Sequence, residues 1–371
     1  MTDSLGPVRA GFEIDTGRLS DWCAAFIVGF HGPIKLTQFT GGQSNPTYRL
    51  SAGERRFVLR RKPPGLLLKG AHDVLREATV LTALRRQGFP VPQVFGVCED
   101  ADVIGSPFYV MALVEGRIFW DARASAATPQ QRPMLFKAMI EGLAQLHGLD
   151  AEAIGLGGYG RPEGFVPRQI ARWSQQYLAD GDAGRNDDMD HLLDWLKARP
   201  APADESAIAH GDFRIDNLIF APDTPQLTAV IDWELSTLGH PLADFAYHLM
   251  VYRMPSALGG LADIDLASEN IPSEQAQVEA YCRATGRDGI PDLDYFIAFN
   301  LFRFAAIIHG IRGRVARGNA VSPQAKTRAE QFPALAALGW AQARAANSRW
   351  HDRIEPWISA QLHAVSTSPR V

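Results

Sequence analysis

The sequence predicts an α+β protein in which a small strand-rich lobe is followed by a larger helical one, the two joined near residue 113. Three observations predict it. Between residues 36 and 60, "LTQFTGGQSNPTYRL" carries a Gly-Gly turn inside strand-like residues, and "RRFVLRR" stops at Pro63-Pro64. From about residue 129 the apolar residues recur at helical spacing, as in "PMLFKAMIEGLAQLHGL". The helical half is interrupted at 207–232, where two short apolar runs flank "APDTPQ" in the manner of a hairpin.

The remaining elements follow in order. "HDVLREATVLTALRRQG" fits a helix closed by Gly88, and "PFYVMALVEG" a strand running into a turn at Gly116. Segments 240–253, 275–284, 292–315 and 328–346 read as helices, with Phe296, Phe299, Phe302 and Phe304 supplying much of the last core. No internal repeat or low-complexity linker interrupts them.

Composition bounds the function. The 371 residues are 46% hydrophobic and 21% charged, enough apolar material for two lobes. A formal net charge of −4 gives no general electrostatic reason to expect nucleic acid or an anionic membrane as partner. Cys23, Cys98 and Cys282 are odd in number and far apart, which favours buried free thiols in a reducing compartment. "WCAAFIVGF" is too short to span a bilayer, and no basic n-region precedes it, so a cytoplasmic protein is expected.

The chemistry concentrates in "HGDFRIDNLIF", residues 210–220. His210, Asp212 and Asn217 stand in the order H-x-D-x-x-x-x-N, and Asp232 follows in "AVIDWE". This is the spacing of a phosphotransferase catalytic loop, in which an aspartate takes the proton of the attacking hydroxyl while an asparagine and a second aspartate hold magnesium. Phosphoryl transfer needs positioning and charge neutralisation, for which carboxylate and amide oxygens around a hard cation are suited. The plainer alternative is a loop whose Asp and Asn side chains cap turns.

The first lobe supplies a second signal. In "FVLRRK" a period-2 strand sets Val58, Arg60 and Lys62 on one face and Leu59 and Arg61 on the other. In the next helix Val74, Ala78, Leu81 and Leu84 form an apolar stripe, and Glu77 falls inside it. A buried, unpaired carboxylate costs several kcal/mol, so Glu77 requires a cation and Arg60 is the natural one, unless Glu77 sits solvated at the stripe's edge.

With these residues, and with "LGHPLADFAYHL", the chain resembles the aminoglycoside phosphotransferase-like (APH) family of small-molecule kinases over roughly residues 34–315. The resemblance implies a protein-kinase-like two-lobed fold with a small antiparallel-sheet lobe and a larger helical lobe. It implies a helical extension at 1–33, a nucleotide-binding lobe at 34–113, and a helical lobe at 114–371 with the catalytic loop and substrate site. It implies ATP and magnesium as cofactors, Asp212 as catalytic base, Asn217 and Asp232 on magnesium, and Arg60 with Glu77 orienting the phosphates. Adenine contacts would come from Met111, Ala112 and Val114, and phosphate-covering backbone from Gly42, Gln43, Ser44 and Asn45.

Two positions depart from the family pattern. Arginine stands at 60 where lysine is usual, so its planar fork sets a different phosphate geometry, and Lys62 on the same strand face is an alternative. "GGQSNPTY" is also poorer in glycine than a protein-kinase loop, which argues against protein kinase activity. Within the family, "FTGGQSNPTY", "VLRRKPPG", "AHDVLRE" and "GLGGYGRPEGFVPRQ" look like the phosphotransferase domains found fused to, or encoded with, acyl-CoA dehydrogenases. That likeness implies a hydroxyacyl-CoA-type acceptor and a functional link to an acyl-CoA dehydrogenase. An aminoglycoside or choline-type acceptor is the alternative, and a kinase-shaped protein that holds nucleotide or acyl-CoA without chemistry is the reading from another class.

Other signals carry less. "GLGGYG" at 155–160 satisfies G-x-G-x-x-G, but a helix precedes it where a dinucleotide fingerprint needs a strand, and no P-loop is present. His210 is expected to fix its loop, His147 to be a core or capping histidine rather than a ligand, and Asp244 to cap or brace the helix after Pro241. His240 and His248 lack metal-ligand spacing. Arg303, Arg312, Arg314 and Arg317 give the late helices a basic side, solvated or aimed at an anion such as a CoA phosphate.

Overall fold

The computed structural model describes residues 5–39, 45–63, 73–319 and 324–347. In chain order the elements are β1 (Leu5–Gly6), α1 (Thr16–Phe26), β2 (Ile34–Phe39), β3 (Thr47–Ala52), β4 (Arg55–Arg61), α2 (Val74–Arg86), β5 (Val94–Cys98), α3 (Ala101–Ile104), β6 (Phe108–Ala112), α4 (Arg132–His147), α5 (Phe165–Ala179) and α6 (Asp187–Ala198). There follow β7 (Ala207–Ala209), β8 (Leu218–Phe220), β9 (Leu227–Val230), β10 (Thr237–Gly239), α7 (Pro241–Leu249), α8 (Glu274–Thr285), α9 (Leu293–Ala316) and α10 (Ala325–Glu330). A last helix, α11, runs from 332 to 347.

Two compact units divide the chain. The first comprises Met1–Pro162, Glu205–Asp244 and Asp263–Gly289, the second Glu163–Asp204, Phe245–Ala262 and Ile290–Val371. They do not coincide with a single cut near 113, because the segment holding Asp212 and Asp232 belongs to the first unit.

In the first unit, six strands form an antiparallel sheet in the order β1-β2-β3-β4-β6-β5. Period-2 alternation decides what each face carries. Tyr48, Leu50, Phe57, Leu59, Phe108 and Val110 point into a core completed by Leu19, Trp22 and Cys23 of α1. Of residues 1–33, expected as a helical extension, the described residues 5–33 supply an edge strand and the helix that closes this core. On the opposite face Arg60 stands level with Thr47 on β3 and Tyr109 on β6. Asp73 caps α2 by accepting from the amide of Arg76, and the buried stripe of that helix includes Glu77 as well as Val74, Ala78, Leu81 and Leu84.

The expected hairpin at 207–232 forms from β8 and β9, while β7 pairs antiparallel with β10. Helices α4 and α8 belong to the same unit.

The second unit is helical. α9 is long and apolar enough to cross a membrane, yet 72% of its apolar window is buried inside the protein, so it is a core helix. Phe296, Phe299 and Phe302 are buried as expected, whereas Phe304 is half-buried. The late helix expected at 328–346 breaks at Gln331 into α10 and α11. Arg317 pairs with Asp180 and Asp182, and the guanidiniums of Arg303 and Arg312 lie over the rings of Tyr247 and Phe332, so much of the basic side has partners within the unit. The three cysteines are free and buried, and burial, with Cys98 adding to it, pushes the Cys23 thiol up to about 12.

Candidate active site

Strand β4 and helix α2 meet through Arg60 and Glu77. Arg60 Nε lies 2.8 Å from Glu77 Oε2, and both side chains are almost fully buried. Glu77 also accepts from Asn45 Nδ2 at 2.7 Å and from the Tyr109 hydroxyl at 3.1 Å. The strand and helix periods that placed these two residues on facing surfaces are therefore met in space. Burial opposes the charge on Arg60, but Glu77 and Asp232 outweigh it and hold the guanidinium charged. Lys62, on the same strand face, forms no ion pair among the described residues.

Arg60 reaches further than Glu77. Its Nη2 donates to Asp232 Oδ1 at 2.7 Å and lies 3.6 Å from Glu234 Oε2. Asp232 adopts a left-handed backbone, φ 67° and ψ 61°, uncommon for a residue with a side chain. Such strain persists only where surroundings over-determine it, and here it accompanies the turn from β9 into a 3₁₀ turn at Trp233–Leu235.

The catalytic-loop candidates are held from below by Asp244. Its carboxylate accepts from the backbone amides of His210 at 2.7 Å and Gly211 at 2.8 Å, with His147 Nε2 at 3.2 Å. Burial would raise its pKa, but hydrogen bonding and charge from His147, with help from His210 and Gly211, bring it below the ordinary aspartate value. Asp244 was expected to cap or brace its own helix. It braces the loop instead, because its side chain leaves the helix start toward two adjacent amides. Gly211, φ +82°, permits this close turn: a Cβ there would lie 2.6 Å from the carbonyl oxygen of Leu235.

His210 fixes the loop as expected. Its Nδ1 accepts from the Asp212 amide at 3.2 Å, which leaves Nε2 as the donor to Ile231 O at 3.0 Å. Asn217 Nδ2 donates to the backbone and side-chain oxygens of Asp212 at 2.9 and 3.1 Å. Arg214, two residues after Asp212, pairs with Asp212 at 3.1 Å and Asp216 at 3.0 Å. Burial, with Asp212 adding to it and Arg214 opposing, pushes the Asp216 carboxyl up.

A cavity in the same unit joins these groups. Phe39, Thr47, Val58, Arg60, Leu81, Pro92, Tyr109, Met111, Ile118, Trp120, Asp216, Asn217, Ile231, Asp232 and Trp233 line it. Its lining combines apolar side chains, of the kind that hold a base, with the carboxylates of Asp216 and Asp232, the amide of Asn217 and the guanidinium of Arg60. Of the expected adenine contacts Met111 lines the cavity. Ala112 and Val114 do not, and the Ala112 amide is taken by Gln93 O at 2.8 Å. Asn45 turns its side chain inward to Glu77, and Gly42, Gln43 and Ser44 lie outside the described residues.

The site's ion pairs set five carboxylates, those of Glu77, Asp212, Asp216, Asp232 and Glu234, against the guanidiniums of Arg60 and Arg214. A polyanionic nucleotide enters such a surface only with added cations. Asp232 and Asn217 both line the cavity, and carboxylate and amide oxygens are the donor types a hard divalent ion takes.

Sequence reading missed Trp120, Tyr109, Glu234 and the ion pairs of Arg214. Arg214 lay in plain view two residues after Asp212, whereas Trp120 sits in a loop without periodicity to mark it.

The comparisons agree with this architecture. The model of the phosphotransferase enzyme family, APH, matches residues 35–296. The chain belongs to this family and has its kinase-like α+β fold. The crystal structure of a Ralstonia eutropha protein assigned as an aminoglycoside phosphotransferase is 40% identical, with a TM-score of 0.81, covering 90% of this chain and 99% of that one. A choline kinase from Cryptosporidium parvum shares the fold alone, at 13% identity and a TM-score of 0.57, covering 91% of this chain and 97% of that one. Acyl-CoA dehydrogenase family member 11 of Gallus gallus is 42% identical over 90% of this chain and 44% of its own length. The chain spans 32% to 44% of the length of the curated relatives it matches.

Proposed function

We propose that the chain transfers the γ-phosphoryl group of ATP, with magnesium, to a hydroxyl of a hydroxyacyl-CoA-type substrate. The observation that carries this reading is the convergence of Asp232, Asn217 and Arg60 on one cavity that apolar side chains also line, with Asp212 hydrogen-bonded to Asn217.

The roles follow from the chemistry. The apolar walls at Val58, Met111 and Ile231 hold the base. Arg60, fixed by Glu77, meets the phosphate charge with a fork that cannot lose its proton. Asn217 and Asp232 would hold magnesium, which when bound supplies neutralisation of the phosphate oxygens. Asp212 accepts the proton of the acceptor hydroxyl as that oxygen bonds to phosphorus and the bond to the ADP oxygen breaks. Asn217 and Arg214 aim its carboxylate, and the Asp244 brace fixes the backbone that carries it.

The acyl-CoA acceptor is supported by relatives whose names are acyl-CoA dehydrogenases and by the motif likeness within the family. An aminoglycoside or choline-type acceptor is the rival substrate. A second reading, a nucleotide holder without chemistry, is favoured by one observation: arginine rather than lysine occupies Asp232.

Thermal unfolding with and without magnesium and ATP tests the shared part of both readings, since each requires a nucleotide-dependent rise in Tm. No rise at saturating ATP contradicts both. Asp212→Asn then separates them: the kinase reading requires it to bind ATP and lose transfer.

A further inference from the structure

The "GLGGYG" segment has no part in the roles above, yet the structure ties it to the helix that carries Glu77. Arg76 is the helix neighbour of Glu77. Its Nη1 donates to Ser236 O at 2.7 Å, its Nη2 donates to Tyr159 O, and its guanidinium lies 3.9 Å from the centre of the Tyr159 ring. The Ser236 hydroxyl donates to Trp233 O at 2.5 Å, so the Tyr159 hydroxyl, 2.7 Å away, is the donor in its bond to Ser236 Oγ. Gly160 completes the arrangement: a Cβ there would lie 2.7 Å from the Leu238 amide nitrogen, so only glycine lets the segment approach β10.

We infer that Arg76, Tyr159 and Ser236 form a clasp that positions Glu77, and through it Arg60, against the turn carrying Asp232. The inference rests on the phosphotransferase reading and adds positioning residues to it. One arginine holds two carbonyls from segments about 80 residues apart in sequence, Tyr159 and Ser236 being separated by 77. A guanidinium fork does this and a point charge does not. Because Ser236 is bonded back to Trp233, the residue after Asp232, movement of α2 is coupled to the Asp232 turn. None of the three residues lines the cavity, and Ser236 meets its wall only through the backbone carbonyl of Trp233, so their effect runs through the Arg60 to Asp232 geometry.

The experiment compares wild type, Arg76→Met, Arg76→Lys and Tyr159→Phe in the full chain. Magnesium-ATP kinetics and backbone hydrogen exchange are read together. Misplacement of the phosphate-holding pair predicts that Arg76→Met lowers kcat about 10- to 100-fold while the KM for ATP changes little. Arg76→Lys restores part of the loss by keeping one carbonyl, and Tyr159→Phe falls between it and wild type. Exchange rises together in α2 and in residues 233–239, while α4 and α8 stay protected. A folded Arg76→Met protein with wild-type kcat overturns the clasp. Should wild type itself show no ATP turnover, the phosphotransferase reading fails separately, and unchanged exchange at 233–239 in Arg76→Met still overturns the clasp.

Discussion

Arg60 and Asp232, separated by 172 residues of sequence, meet at 2.7 Å through Nη2 and Oδ1. The same guanidinium holds Glu77 through Nε, so one side chain joins strand β4, helix α2 and the turn after β9. A lysine offers a single nitrogen and cannot occupy both positions. Arg60→Lys is therefore expected to lose one charge-assisted hydrogen bond and to lower kcat/KM for ATP about 10- to 100-fold. Steady-state kinetics checks this; an unchanged kcat/KM would mean that the fork is dispensable.

Glu77 is the other end of that pair, and it is buried. Glu77→Ala leaves a buried cation short of a partner and removes the carboxylate that accepts from the Tyr109 and Asn45 side chains. Stability is expected to fall by about 3 kcal/mol, read from denaturant unfolding. A loss below 1 kcal/mol, with unchanged slope, would show that Asp232 alone satisfies Arg60.

Trp120 lines the cavity while leaving 65% of its surface exposed. Ligand entering the cavity should cover the indole and change its fluorescence. Trp120→Ala is expected to weaken nucleotide binding by about 1 kcal/mol, the contribution of one aromatic contact. Calorimetric titration that finds equal affinity would remove Trp120 from the site.

Asp244 links the loop brace to pH. Its folded pKa is depressed, so the unfolded chain binds the proton more readily. The stability it contributes is fully present above the ordinary aspartate pKa, about 3.9, and is lost as pH falls through the lower folded value. Wild type should exceed Asp244→Asn in stability above the ordinary aspartate pKa, by a margin that narrows below about pH 4. A margin that widens in acid would reverse the sign assigned here.

The sequence made the Arg60 to Glu77 pair legible because strand and helix periods each select a face, and an acidic residue inside an apolar stripe demands a cation. The candidate loop at 210–217 was legible from its spacing, and the structure brings His210, Asp212 and Asn217 into one hydrogen-bonded group. What escaped were relationships with no periodic trace. Asp244 leaves its own helix to hold two amides, Asn45 turns in toward Glu77, and Asp232 adopts a left-handed backbone, each decided by tertiary neighbours rather than local pattern. The "GLGGYG" segment imitated a nucleotide motif, while its Gly160 serves close approach at β10.

The most direct test of the account is transfer of phosphate from magnesium-ATP onto a panel of hydroxyacyl-CoAs, aminoglycosides and choline, followed by mass spectrometry. The account predicts a mass gain of one phosphoryl group on a hydroxyacyl-CoA, reduced about 10²- to 10⁴-fold in Asp212→Asn. Phosphorylation that persists unchanged in Asp212→Asn, or that falls on an aminoglycoside or choline and spares every hydroxyacyl-CoA, would contradict it.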